Sequence, residues 1–172
     1  MKLPTVYITV GTTKFDNLIQ TITSDKVLQI LKSRGCTKLI LQLGSGQPVN
    51  TVQLIRDTYG IEVEQYEFKL ESVRSDIVNS DIIIGHAGAG TCMDILSNKK
   101  PGLAVVNGEL MNNHQTELAK QLSHEGYLYY CTVDGLAEQL ETLDFKALKP
   151  YVEDKQAMQK FLKHLNTMMT AN

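Results

Sequence analysis

Three short clusters of small and polar residues have the types and spacing to do chemistry, and each follows an apolar run. The run Ile82-Ile83-Ile84-Gly85 leads into His86-Ala87-Gly88-Ala89-Gly90-Thr91, so that Gly85, Gly88 and Gly90 fall within six positions. A strand-to-helix turn of this kind exposes backbone N–H groups to an anion such as a diphosphate. It is not the dinucleotide fingerprint, because a G-x-G-x-x-G that starts at Gly88 needs a third glycine where Met93 stands, and it lacks the P-loop lysine. Asp94 follows in the first turns of the next helix. A carboxylate there can accept both hydroxyls of a ribose, or simply complement the helix dipole. His86 reads either as a ligand-facing group or as a histidine satisfied by its own backbone surroundings.

The second cluster is Gly11-Thr12-Thr13, after the run at 6–10. Glycine admits close approach of an anion to a backbone N–H, and the threonine hydroxyls can donate; a plain turn with a threonine N-cap is the simpler alternative. The third is Asn107-Gly108-Glu109-Leu110-Met111-Asn112-Asn113-His114-Gln115, after the run at 102–106. Amides both donate and accept, so such a cluster reads sugar hydroxyls well; an asparagine N-cap on the helix that follows serves equally. Together the three clusters suit a nucleotide sugar: diphosphate on the glycine turns, ribose on Asp94, sugar on the amides.

The elements that must position them follow from periodicity. Strands are predicted at 6–10, 38–43, 81–84 and 102–106, with weaker ones at 61–68 and 127–131. Several are apolar throughout, the mark of strands covered on both faces. Helical spacing fills the gaps at 15–33 (broken near Ser24), 49–59, 73–79, 90–97, 113–124 and 136–142. Strand then helix, repeated about six times, predicts an α/β fold: a Rossmann-like, doubly wound parallel sheet with right-handed crossovers. Ligands of such sheets bind outside the carboxyl ends of the strands, where all three clusters fall. The expected division is one domain over 1–150 and a helix in 151–172. Apolar residues at helical spacing over 153–169 either close the core or dock on a second chain.

The 172 residues are about one domain, long enough to bury roughly 70% of the unfolded surface. A net charge of −2 provides no basic face for nucleic acid. Cys36, Cys92 and Cys131 are scattered, which suits small apolar residues in a reducing compartment rather than a zinc site. No signal-like segment precedes the first strand, and no apolar run approaches the roughly 20 residues of a membrane span, so a soluble chain is expected. No metal and no cofactor is expected, and the chain contains no Asp-x-Asp.

The segments 6–13, 86–91 and 110–115 resemble the small catalytic subunits of the eukaryotic UDP-N-acetylglucosamine transferase, over roughly 6–132. That family is similar to the C-terminal, donor-binding half of GT-B glycosyltransferases. The resemblance implies an inverting transfer of GlcNAc from UDP-GlcNAc to dolichyl-diphosphate-GlcNAc, the second step of lipid-linked N-glycan assembly. It implies that Gly11, Thr12 and Thr13 line the diphosphate, with Gly88, Ala89, Gly90 and Thr91 donating near it. Asp94, where relatives often carry Glu, would bind the ribose, and Asn113, His114 and Gln115 would meet the GlcNAc. Phe68 or its neighbours would border the uracil. His86 is the candidate general base on this chain, with the partner chain the favoured source. That partner, a membrane-anchored acceptor-binding subunit, would form a heterodimer with this chain and recruit it from the cytoplasm to the cytosolic face of the endoplasmic reticulum. The 153–169 helix is the candidate docking element. Size agrees: a GT-B enzyme needs two Rossmann domains, and this chain builds one. The alternatives are the donor subunit of a bacterial two-chain polysaccharide transferase and a non-catalytic nucleotide-binding scaffold. A nicotinamide dehydrogenase is disfavoured by Met93 and by Gly44-Ser45-Gly46 where an acid should end the second strand.

Overall fold

A computed structural model describes residues 1–69, 73–107 and 113–152, with Asn113, His114 and Gln115 described in backbone only. Six parallel strands form one sheet: β1 Thr5–Thr9, β2 Lys38–Gln42, β3 Glu62–Tyr66, β4 Ile82–His86, β5 Gly102–Val106 and β6 Tyr129–Thr132. Their order is β3-β2-β1-β4-β5-β6. Alternation explains why the inner strands are apolar throughout. Val6, Ile8, Leu39, Leu41, Ile82, Ile84, Leu103 and Val105 feed one core, while Tyr7, Ile40, Ile83 and Ala104 feed the other. Each face therefore needs a helical layer.

The first layer is α1 Asp16–Ile22, α2 Asp25–Ser33, α3 Val52–Tyr59 and α7 Leu136–Thr142; the second is α4 Arg74–Asn79, α5 Ala89–Ser97 and α6 Asn113–His124. The layers change over between β3 and β4, where the chain reverses its direction across the sheet. Right-handed crossovers require that change of face. The break at Ser24 between α1 and α2 is as expected, with Ser24 in an extended conformation. Most bounds shift by a residue or two, and two of the shifts have a visible cause. The third helix begins at Val52, not 49, because the Gln65 amide holds the Val49 backbone from both sides, at 2.8 and 3.0 Å. The fourth strand runs to His86, not 84, since Gly85 and His86 pair with Ala104 and Val105. His86 is thus the last residue of a strand, held in register by its neighbour. The expected helix at 153–169 lies outside the described residues. Cys36, Cys92 and Cys131 are free, buried thiols that burial pushes up to about 12, which fits their reading as apolar residues.

A polar chain crosses the second core beneath the carboxyl edge. The Tyr7 hydroxyl, on a side chain 1% exposed, donates to Gln42 Oε1 at 2.9 Å, and Tyr66 reaches Tyr7 at 3.4 Å. The Tyr66 hydroxyl also lies 2.6 Å from an Asp76 oxygen, and Lys69 Nζ sits 2.8 and 2.6 Å from the two oxygens of that carboxylate. Asp76 is 8% exposed, so its oxygens take their hydrogen bonds from these partners rather than from water. The bonds pin α4 to β3. Tyr66→Phe is expected to cost about 1 kcal/mol. Asp76→Ala should cost about 2 kcal/mol or more, since it leaves Lys69 and Tyr66 without their shared acceptor. Chemical denaturation of both variants measures the difference.

Candidate functional site

The strand order reverses between β1 and β4, so the turns that leave these strands diverge and open a crevice. The His86 ring lies between them. A Cβ on Gly11 would stand 2.9 Å from His86 Cε1, and one on Gly88 would stand 2.3 Å from Nε2. Only glycine lets both turns close on the imidazole. His86 Nδ1 pairs with Thr91 Oγ1 at 3.2 Å, and the ring also bonds to the Thr9 backbone. Burial pushes the imidazole below its usual range, the Thr9 bond opposing, so His86 is neutral at pH 7.

Gly11 has φ +62° and donates its N–H to Thr9 Oγ1 at 3.0 Å. Thr12 is exposed beside it. Thr13 is committed to the turn: both its N–H and its hydroxyl donate to the Val10 carbonyl, at 3.3 and 2.8 Å. Across the crevice, Gly88 caps α5 with extended backbone and accepts from Cys92 N–H. Ala89 and Gly90 are exposed, and space is open where a Gly90 Cβ would point. Among the described residues, the N–H groups of Thr12, Ala89, Gly90 and Thr91 have no protein acceptor. They are positive ends available to an anion. Thr91 is different: its side chain is 4% exposed, its hydroxyl goes to His86, and a Cβ on Gly85 would meet its methyl at 2.6 Å. Its contribution toward the crevice is therefore the backbone N–H alone.

Asp94, one turn along α5, lies in a cleft of about 360 Å³ between α4 and α5, with Val73, Arg74, Ile77, Ser97 and Asn98. Burial raises its carboxyl above the usual carboxylate range. The second glycine turn and Asp94 thus share α5, and Asp94 lines this cleft beside it. The Asn98 amide, at 2.9 Å from the Asp94 carbonyl, closes the helix end below the cleft. Phe68 is 53% exposed after β3. The expected amide cluster falls largely outside the described residues: 108–112 and the side chains of Asn113, His114 and Gln115. Their helix, α6, does begin at Asn113 as expected.

The sequence reading assigned no site role to the support beneath the first turn. Gly44, at φ +57°, packs so closely that a Cβ would stand 2.3 Å from the Thr13 carbonyl and 2.9 Å from that of Gly11. Ser45 N–H donates to the Thr13 carbonyl at 3.3 Å, and Asp16 Oδ1 accepts from Gln47 N–H at 3.0 Å. The signal was the pair of glycines in Gly44-Ser45-Gly46, weighed only as a missing acid. The walls Val73, Arg74 and Ile77 left no comparable trace.

An open parallel sheet of this order, with two glycine turns meeting at its reversal point, is a Rossmann-like domain of the kind that forms one half of a GT-B glycosyltransferase. The chain belongs to the family defined by the glycosyltransferase family 28 C-terminal domain, whose pattern matches residues 5–168. It is similar to the UDP-N-acetylglucosamine transferase subunit ALG13 of Homo sapiens, 44% identical over 131 residues, which are 74% of this chain and 11% of the human protein. The chain therefore spans about a ninth of that relative's length. Its fold matches the NMR solution structure of ALG13 with a TM-score of 0.71, at 24% identity over 94% of this chain and 96% of that one. It also matches the crystal structure of MurG from Acinetobacter baumannii, with a TM-score of 0.60 at 19% identity, over 86% of this chain and 43% of that one.

Two glycines separate support from access. Gly44→Ala is expected to lower stability by roughly 2 kcal/mol or more, through left-handed backbone and collision with a carbonyl. Gly90→Ala, in a helix with open space around it, should leave stability unchanged or raise it by up to about 1 kcal/mol. Denaturant midpoints at constant m value test the contrast.

Proposed function

We propose that the chain is the donor-binding, catalytic subunit of an inverting glycosyltransferase that moves GlcNAc from UDP-GlcNAc to dolichyl-diphosphate-GlcNAc, working only with a membrane-anchored acceptor-binding partner. The observation that carries this reading is that two glycine turns close on His86 while Asp94, on the helix that the second turn opens, lines an adjoining cleft. The free N–H groups of Thr12, Ala89, Gly90 and Thr91 take the diphosphate, and Gly11, Thr13 and Gly88 shape the turns that present them. Asp94 takes the ribose. Asn113, His114 and Gln115 open α6 on the side where the sugar would extend, and Phe68 lies toward the uracil.

In the reaction the acceptor hydroxyl attacks the anomeric carbon, and the bond to UDP breaks with its electron pair going to the diphosphate. The aimed N–H groups and the α5 N-terminus oppose that growing charge with little reorganisation. The acceptor proton needs a base. His86 is neutral, but its ring already bonds to Thr91 and to the Thr9 backbone, between two glycines. We therefore assign His86 to holding the turns and the proton transfer to the partner chain. Among the described residues no helix is long and apolar enough to cross a membrane. Membrane contact at the cytosolic face of the endoplasmic reticulum would then come through the partner, with 153–169 the docking segment.

Asp94→Ala and Gln115→Ala are expected to raise the KM for UDP-GlcNAc by about tenfold, the worth of a hydrogen bond of ~1.5 kcal/mol, while the partner still co-purifies. Wild-type turnover in both would overturn the donor assignment. Asp94→Asn separates binding from stability. Because the folded pKa of Asp94 is raised, the ionised carboxylate opposes folding, a cost absent below its unfolded value and fully present above its folded one. Asp94→Asn should therefore hold or raise the Tm at pH 7 while weakening UDP binding. In the wild type, UDP affinity should fall on acidification at a higher pH than an ordinary carboxylate would set; calorimetric titration across pH checks this.

A further inference from the structure

Thr9 ends β1 and stands across from a residue of each neighbouring strand, Gln42 of β2 and Gly85 of β4. The residue is 5% exposed. Its hydroxyl has one proton and gives it to Gln42 Oε1 at 2.6 Å, an oxygen that also takes the Tyr7 hydroxyl at 2.9 Å. With its proton placed, Thr9 Oγ1 can only accept, and it accepts the Gly11 N–H at 3.0 Å. On the other side, the Thr9 backbone bonds to the His86 ring. Glycine at 85 lets β4 pack this close: a Cβ there would stand 2.8 Å from the Thr9 carbonyl oxygen and 2.9 Å from the Thr9 methyl. One residue thus holds the turn after β1 by its side chain and the ring between the two turns by its backbone.

The consequence is directional. Gly11, at φ +62°, and Thr12 carry consecutive N–H groups, and such a pair can close on one anion as a backbone nest. Here the first is drawn inward to Thr9. That of Thr12, an exposed residue, has no protein acceptor among the described residues. Fixing the Gly11 amide limits how the next peptide plane can turn, and that plane carries the Thr12 N–H. Stabilisation of a leaving group depends on donors that are aimed before the charge develops. Resting on the donor assignment above, we propose that Thr9, with Gln42 behind it, is the positioning residue of the diphosphate site. Its hydroxyl decides which backbone N–H of the β1 turn meets the phosphate. Thr9 itself touches no substrate; it acts through Gly11.

The test uses the assembled two-chain enzyme and compares UDP with uridine as inhibitors of GlcNAc transfer from UDP-GlcNAc. The ratio of the two inhibition constants isolates what the diphosphate contributes. Thr9→Val keeps the shape of the side chain and removes the hydroxyl; Thr9→Ser keeps the hydroxyl. Strand β1 retains its pairing with β2 and β4, and Val10 N–H still reaches the Gln42 carbonyl, so both variants should fold. Thr9→Val is expected to raise the Ki of UDP about tenfold and to leave that of uridine within about twofold, while Thr9→Ser stays within about twofold of the wild type for both. Gln42→Met removes the acceptor of the Thr9 proton and should raise the Ki of UDP alone by about threefold; it decides if Thr9→Val unfolds. Folded variants with a lower Tm but an unchanged ratio leave a structural role only and overturn the proposal. So does an equal loss of both inhibitors, or a Thr9→Ser enzyme as weak toward UDP as Thr9→Val. A wild type that UDP inhibits no better than uridine overturns the donor assignment itself.

Discussion

Two backbone turns from different strands can touch the same imidazole ring only if neither carries a Cβ at the point of contact. Gly11 and Gly88 meet that condition around His86, and Gly44 meets it one layer below, against the carbonyls of Thr13 and Gly11. The left-handed backbone of Gly11 and Gly44 adds a second reason for glycine at those two positions. Without these approaches the turns after β1 and β4 would splay, and their free N–H groups would not face one crevice. The shared crevice and the N–H groups that face it are thus a consequence of three missing methyl groups more than of any charged side chain.

The fold was legible because its signals are periodic. Apolar β-branched runs and helical spacing recovered all six strands and the helices between them, and the repeat of strand and helix gave the doubly wound topology. What misled was local and long-range at once. The start of α3 was misplaced because Gln65, in another strand, holds Val49 by its amide. The end of β4 was misplaced because glycine and histidine look like a turn, and only pairing with Ala104 and Val105 keeps them in the strand. Neither interaction leaves a mark on the segment it changes.

The site was legible in part for a similar reason. Glycines beside hydroxyls, and an acid one turn into a helix, are visible in sequence because each is a local arrangement. Commitment of a hydroxyl is not. Thr13 and Thr91 look like equal donors to a ligand, yet one closes its own turn and the other is buried against His86. The supporting glycine at position 44 belongs to a different strand's loop, so only the assembled sheet shows what it holds.

The turn after β1 and the wall of the Asp94 cleft are fastened to the same polar chain. Thr9 Oγ1 accepts from Gly11 N–H and donates to Gln42 Oε1 at 2.6 Å; Gln42 also takes the Tyr7 hydroxyl. Tyr7 is within reach of Tyr66, and Tyr66 and Lys69 hold Asp76, which sits in α4 next to Ile77 on the cleft wall. Hydrogen bonds in a low-dielectric interior reinforce one another, and a broken member exposes the rest to the full cost of an unpaired buried group. The network therefore sets the spacing between the turn that would take phosphate and the cleft that would take ribose. A nucleotide has that spacing built into its covalent structure, so a rigid connection between the two subsites turns two weak contacts into one preorganised site.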